Sequence, residues 1–372
     1  MRKSKIICTV SNDLIQDNRM FRICNTLTDL SYEVILVGRK RKKSLPFGHH
    51  RFNFERILCY FERGFLFYLE YNLRLAYFLF RNIDKNDIIY TVDSDTLLAG
   101  GVVKWVKRCH QIFDAHEYFT KVPELIHKPL VRWVWSVIEK IFIPKADVHI
   151  TVSQSLAKLF SGKYGVSFTE LYNVPNLVEI KEKSFPKSVP VIIYIGMLNA
   201  GRGLEQIIWA MNDITDAELW IVGHGDIAEE LKQIAESSEA SQRIIFKGWK
   251  SAAETQTLLQ QATVGINLLD GSSESYYYSL ANKFFDYMHA ELPSVNMNFP
   301  EYQSITERFE VGILLEDLNS ENMAVAVNSL LRDKVKLEHL KSECRKAKQF
   351  FNWEHEARKL TELMMIDNKG NL

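Results

Sequence analysis

Val191-Ile192-Ile193-Tyr194-Ile195-Gly196-Met197-Leu198-Asn199-Ala200-Gly201-Arg202-Gly203 is the stretch that decides the fold class. Five β-branched or aromatic residues in a row read as a strand buried on both faces. Three glycines follow within eight residues, and Leu204 then opens an apolar helical stretch. Strand, glycine turn and helix in that order is the repeating unit of a parallel sheet. The unit recurs on both sides. Upstream, Lys5–Val10, Glu33–Val37, Ile88–Val92, Gln111–Phe113 and Val148–Val152 read as buried strands. Downstream, Glu218–Val222, Arg243–Phe246, Val264–Leu268, Ser294–Met297 and Val311–Leu315 do the same.

The expectation is therefore an α/β protein of two Rossmann-like, doubly wound parallel-sheet domains. A length of 372 residues suits two cores better than one. The seam is expected near Asn173–Pro190, where Asn173-Val174-Pro175-Asn176 precedes a Lys-, Glu-, Ser- and Pro-rich stretch. This gives domains of 1–178 and 179–350, with a closing segment 351–372 that holds a helix around Asn352–Ile366.

Formal net charge is zero, which implies no general attraction to nucleic acid. Its distribution is uneven: residues 1–150 carry 24 Lys and Arg against 16 Asp and Glu, and the remainder carries 22 against 30. Such asymmetry points the N-terminal half toward something anionic, or reflects two domains that differ in charge without consequence. The five cysteines are scattered singly, without metal-type spacing. With an N-terminus that lacks a secretory apolar region, they suggest reduced thiols in a cytoplasmic protein. The longest apolar stretch, residues 64–80, is broken by Glu70, Asn72 and Arg74, so no bilayer span is expected.

Ligands of open α/β sheets bind beyond the carboxyl ends of the strands. Gly196, Gly201 and Gly203 with Arg202 form a turn that lets backbone approach a phosphate. Gly223 and Gly225 after the next strand, and Phe246 with Gly248 after the third, are further points of approach. Ser279 is expected to cap a helix whose first amides, around Ala281 and Asn282, face a diphosphate. Lys283 adds charge there. Asp286, three residues on, is placed to accept hydroxyl hydrogen bonds, or simply to pair with Lys283 on a surface helix. In the first half, Asp114, His116 and Glu117 cluster at a strand end, where a histidine could bond a substrate hydroxyl. The glycine-free loop Ser11–Arg19 leads into the first helix, with Asp17 as its cap and Arg19 and Arg22 reaching for the site.

These residues resemble the retaining glycosyltransferases of family 4, which have the GT-B fold. The carriers are Gly196 with Arg202 and Gly203, Val222-Gly223-His224-Gly225, Phe246-Lys247-Gly248, Asp114-Ala115-His116-Glu117 and Asn282 through Met288. Asn173 through Asn176 and the closing Asn352-Trp353 helix also look family-like. The resemblance implies a nucleotide-sugar donor held by the C-terminal domain, an acceptor held by the N-terminal domain, and reaction in a cleft between them. It also implies a closing helix that returns to the N-terminal domain, and no metal or other cofactor. Arg202 matches the family's second basic diphosphate position, and His116 the residue near the donor sugar. Asp17, Arg19, Asp114 and Glu117 fall on the acceptor side. Three positions depart: Met197 replaces the first basic residue, Tyr278 the first of two glutamates, and Asp286 shortens the second.

Five consecutive basic residues, Arg39, Lys40, Arg41, Lys42 and Lys43, form a candidate contact for an anionic membrane surface. Residues 64–81 and 130–145 are either interfacial amphipathic elements or domain core. The expected function is hexosyl transfer from a nucleotide sugar to a glycan or lipid-linked acceptor in envelope, capsular or O-antigen polysaccharide synthesis. The expected location is the cytoplasm, or the inner face of the cytoplasmic membrane. A sugar-nucleotide 2-epimerase and a non-catalytic sugar-nucleotide binder share the architecture.

Overall fold

The computed structural model describes residues 4–15, 17–42, 44–178 and 189–369. The chain divides into two compact units, residues 1–173 with 355–372 and residues 174–354. The first is built on strands β1 (Lys5–Thr9), β2 (Glu33–Lys40), β3 (Asn53–Leu58), β4 (Ile88–Val92), β5 (His110–Ala115), β6 (Val148–Thr151) and β7 (Thr169–Glu170). They form one sheet in the order β3-β2-β1-β4-β5-β6-β7, parallel at every pairing. Its helices are α1 (Asn18–Asp29), α2 (Gly64–Asn82), α3 (Asp93–Lys107), α4 (Pro129–Phe142) and α5 (Gln154–Tyr164).

The second unit holds β8 (Val191–Ile195), β9 (Glu218–Val222), β10 (Ile244–Gly248), β11 (Val264–Asn267), β12 (Ser294–Met297) and β13 (Gly312–Leu315). The sheet order is β10-β9-β8-β11-β12-β13, again all parallel. Helices α6 (Leu204–Ala210), α7 (Ala228–Ser237), α8 (Ala252–Gln261), α9 (Glu274–Tyr277) and α10 (Asn282–His289) connect the first five strands. Then come α11 (Pro300–Arg308), α12 (Ser320–Arg332) and α13 (Lys334–Ala347), while the closing helix α14 (Trp353–Lys369) belongs from His355 onward to the first unit.

The two doubly wound sheets are those expected. In each, the chain moves outward from a central strand and then returns to that strand's other side. The reversal falls between β1 and β4 in the first unit and between β8 and β11 in the second. Sheets of this kind bind ligands at the reversal, beyond the carboxyl ends of those strands.

Strand β3 escapes sequence reading because it is an edge strand of alternating polarity, half exposed and paired only with β2. The packing under the first sheet's reversal is tight. Tyr71, Leu75 and Leu79 of α2 lie on Ile7, Val37 and Ile89, with Ala99 and Val103 of α3 alongside. Gly100 lets α3 sit directly on β4, since a Cβ there would come within 2.2 Å of Thr91 Cγ2.

Two expectations are corrected here. The basic run does not face outward as a block: Arg39 is buried, its guanidinium 4.2 Å from the Phe67 ring centroid and donating to Glu62 O. It is the penultimate residue of β2, on the same side of the strand as Ile35 and Val37, so its side chain turns inward. Lys40, Arg41 and Lys42 are exposed, and Lys43 lies outside the described residues. Nor does Ser279 cap α10. The cap residue is Ala281, and the Ser279 hydroxyl donates to Tyr276 O.

Gly100→Ala should lower stability by about 1–3 kcal/mol through overpacking against β4. Gly162→Ala on α5, where nothing lies within 4 Å, should raise it by about 0.5–1 kcal/mol. Thermal melts of the two variants should therefore move in opposite directions.

Candidate functional site

In the second unit, the loops after β8 and β9 meet backbone to backbone. Gly196 N donates to Val222 O, and Leu198 N to His224 O. A Cβ on Gly223 (φ 147°) would come within 1.8 Å of Gly196 O, and one on Gly225 within 2.3 Å of Leu198 O. The close approach these two glycines permit in this structure is between the loops after β8 and β9. Gly203, at φ 63°, similarly lets the start of α6 pack on Leu268. Phe246 and Gly248 sit at a register shift at the end of β10, where Gly248 O accepts from Gly223 N.

Gly196 itself opens toward charge. The nearest atoms to a Cβ there would be Tyr194 Oη at 3.6 Å and Lys283 Nζ at 3.7 Å. Lys283 belongs to the first turn of α10 and is buried. Its ammonium lies 3.7 Å from the Tyr194 ring centroid and has no hydrogen-bond partner among the described residues. Burial and then the Arg202 charge hold its pKa well below the usual lysine value, against the pull of Asp286. Arg202 lies with its guanidinium 5.9 Å from the Tyr276 ring, and its buried Nε lacks a partner. Two cations thus share a pocket floor with donors unsatisfied. An anion is the group that would satisfy both.

The structure brings Gly196, Arg202, Lys283 and Asp286 together, with Asn282 opening the same helix. The Ala281 amide is already engaged, donating to Tyr302 Oη at 2.9 Å. Two tyrosines complete the pocket that sequence reading missed. The Tyr194 hydroxyl donates to Met197 O, and burial pushes its phenol up to about 12, so it stays neutral beneath Lys283. Its signal was its position near the end of β8.

In the first unit, Asp114 near the end of β5 is fully buried and accepts from Arg19 Nη2 at 2.9 Å and from Arg19 Nε at 3.2 Å. Tyr90 Oη donates to it at 2.8 Å, and His116 Nε2 lies 3.0 Å away. Arg19 also donates to Leu171 O. Burial raises the Asp114 pKa, but Arg19 and His116 outweigh it and hold the carboxyl well below the usual range. Burial lowers that of His116, but the Asp114 carboxylate outweighs it and the net shift is upward.

Arg19 and Asp114 were expected to face an acceptor. Both are buried, and their groups are occupied in positioning His116, which remains 20 % exposed. Arg22 bonds Asn173. Asp17 caps α1 by accepting from Met20 N, while Glu117 is exposed beside the cluster.

The missed residues here are Asp93 and Asp95. They follow β4 directly, a position the strand-end rule would have selected. Asp93 adopts φ 53°, unusual for a non-glycine residue, and its Oδ1 accepts the His116 amide at 2.7 Å. Asp95 accepts from the Ser11 hydroxyl, joining the loops after β1 and β4 across the sheet reversal. Burial pushes both carboxyls up to about 7.

The protein thus consists of two doubly wound parallel-sheet units, the second with Arg202 and Lys283 gathered at its sheet reversal. The family "Glycosyltransferase Family 4" matches residues 16–182, and "Glycosyl transferases group 1" matches residues 189–333. Together these cover well over half of the chain, and the chain belongs to these glycosyltransferases. A lipopolysaccharide core biosynthesis glycosyltransferase of Rhizobium meliloti is 24% identical over 148 residues, 40% of this chain and 41% of that protein. The match thus spans less than half of that relative's length.

Among solved structures, sucrose-phosphate synthase from Thermosynechococcus elongatus superposes with a TM-score of 0.79 at 16% identity, covering 99% and 100% of the two chains. Anabaena HepE in complex with UDP-glucose gives 0.75 at 15%, covering 97% and 99%. The apo lipopolysaccharide outer core galactosyltransferase WaaB gives 0.68 at 13%, covering 98% and 99%. At these identities the structures show a shared fold. The epimerase alternative gains no support from the family matches.

Removing Asp114 leaves Arg19 buried without its partner, so Asp114→Ala should cost about 3–5 kcal/mol. His116 has a raised folded pKa. Its stabilising contribution is complete below its unfolded value of about 6.5 and is lost as pH rises through the folded one. In urea unfolding across pH, wild type should exceed His116→Gln at acidic pH, with the gap closing on the alkaline side.

Proposed function

We propose that this glycosyltransferase moves a hexose from a nucleotide-sugar donor to a glycan or lipid-linked acceptor of the cell envelope, with retention of configuration. The observation that carries the reading is the Lys283 ammonium, buried without a hydrogen-bond partner beside Arg202 at the sheet reversal. A donor's diphosphate supplies the missing anion. As it departs, negative charge grows on its oxygens, and Arg202, Lys283 and the first amides of α10 stabilise that charge. No divalent metal is assigned to this step. The Anabaena relative whose complex holds UDP-glucose supports a nucleotide-sugar donor. The lipopolysaccharide-synthesising relatives support an envelope acceptor.

In the first unit, His116 is the group we assign to a substrate hydroxyl. Its amide is pinned by Asp93 and its ring by Asp114, so it presents one orientation. We place the enzyme at the inner face of the cytoplasmic membrane, where lipid-linked acceptors and soluble nucleotide sugars meet. No helix among the described residues is long and apolar enough to cross a membrane.

Calorimetry with UDP, GDP, ADP and CMP is the direct test. One nucleotide should bind wild type and bind Arg202→Ala more weakly, and Arg202→Ala should lower kcat about 10²–10³-fold. His116→Ala should slow transfer at unchanged nucleotide affinity. Binding of none of the four would make the chain a protein without donor chemistry.

A second measurement addresses Lys283. A diphosphate beside it should raise that depressed pKa, so nucleotide binding should weaken as pH rises into the alkaline range. Calorimetry across pH should show that fall in wild type and a flatter profile in Lys283→Met.

A further inference from the structure

Helix α2 carries two apolar stripes. Phe67, Tyr71, Leu75 and Leu79 pack into the core. Phe65, Leu69, Leu73 and Tyr77 repeat the same spacing two residues earlier, which places them about 200° around the helix. That second stripe has no core to enter: Leu73 is 65% exposed and Tyr77 66%. A helix apolar on both sides needs a second partner.

The neighbouring helices continue the face. Trp105 of α3 is 80% exposed, as is Leu130 of α4, and Trp133 is 65% exposed. Helix α3 packs against both α2 and α4, and the rings of Tyr68 and Trp135 join α2 to α4 at 5.2 Å. Contiguous apolar exposure of this kind marks an interaction surface.

Charge on the three helices is sorted by direction. Their four carboxylates are turned away or engaged. Glu139 is buried and bonded to Ser94 and Tyr164. Asp93 and Asp95 bond His116 N and Ser11. Glu70 is held by the Tyr60 and Phe61 amides and by Arg74. The cations lie outward among the aromatic rings: Lys107 is 4.4 Å from the Phe80 ring centroid, Arg74 5.2 Å from Tyr60, and Arg81 5.9 Å from Tyr77.

We propose that the outer face of α2, α3 and α4 seats this protein on the headgroup region of an anionic bilayer. Its leucines and tryptophans enter the interface while its cations meet lipid phosphates. The surplus of cations argues against a second copy of the chain, which would set like charges against each other. Within the basic run Arg39 points into the core, and we place the principal contact on the three helices instead. This inference rests on the proposed membrane location and is independent of the sugar-transfer reading.

The test is flotation of the full chain with phosphatidylcholine vesicles, with and without phosphatidylglycerol. Wild type should float with the anionic vesicles. Leu73→Glu with Tyr77→Glu, and separately Trp105→Ser, should weaken binding about tenfold or more. Both variants should keep the wild-type melting temperature and nucleotide affinity. Arg41→Ser with Lys42→Ser should float nearly as wild type does.

Three results would overturn the proposal: no flotation with anionic vesicles, flotation unaffected by the face variants, or loss confined to the Arg41/Lys42 variant. So would light scattering that shows a dimer, or filter retention of an oligonucleotide, abolished by the same face variants. Flotation without sugar transfer would sink the proposed reaction and leave this face assigned.

Discussion

Parallel strands place all their carboxyl ends along one edge of a sheet, and the strand order must reverse somewhere if both sides of the first strand are to be filled. That constraint organises each unit of this protein. At the reversal two loops leave in opposite directions, and the residues that begin them face each other across a gap no secondary structure fills. In the first unit the gap is bridged by Ser11 and Asp95, with His116 beside them. In the second it is bordered by Gly196, Arg202 and Lys283.

The two units treat charge in opposite ways. Around β5 every charged group has a partner: Arg19 grips Asp114, Tyr90 and His116 bond the same carboxylate, and Asp93 takes the His116 amide. Such a network fixes one ring orientation. Around β8 the cations stand together with donors open, and burial, then the Arg202 charge, depresses the Lys283 pKa. A satisfied network suits positioning; an unsatisfied pair suits binding a ligand that brings the opposite charge. The outer face of α2, α3 and α4 repeats the second theme at a surface, with cations and rings outward and carboxylates inward.

Much of the fold was legible because a strand buried on both faces leaves a continuous apolar run. Val191–Ile195, Glu218–Val222 and Ser294–Met297 are strands over the residues read from the sequence. Asn53–Leu58 was not legible, since an edge strand is stabilised by pairing with β2 rather than by its own apolar pattern. Among site residues, Arg202, Lys283 and His116 were legible from their places at strand ends and in a helix's first turn. Asp93, Asp95 and Tyr194 carried the same strand-end signal and were passed over, whereas Tyr276 carried none, because its importance lies in what it touches.

The sequence by itself determined the periodicity: which runs are strands, where glycines interrupt them, and hence two parallel sheets with chemistry at their carboxyl ends. Only the tertiary structure decided direction. Arg19 and Asp114 turned out to be internal supports, Gly223 and Gly225 seats for a neighbouring loop, and Arg39 a core cation under Phe67. The stripe on α2 that spacing alone would send to a core was left facing outward. The physical reason is that periodicity fixes the local path of the chain, whereas burial and charge pairing depend on atoms contributed from far along it.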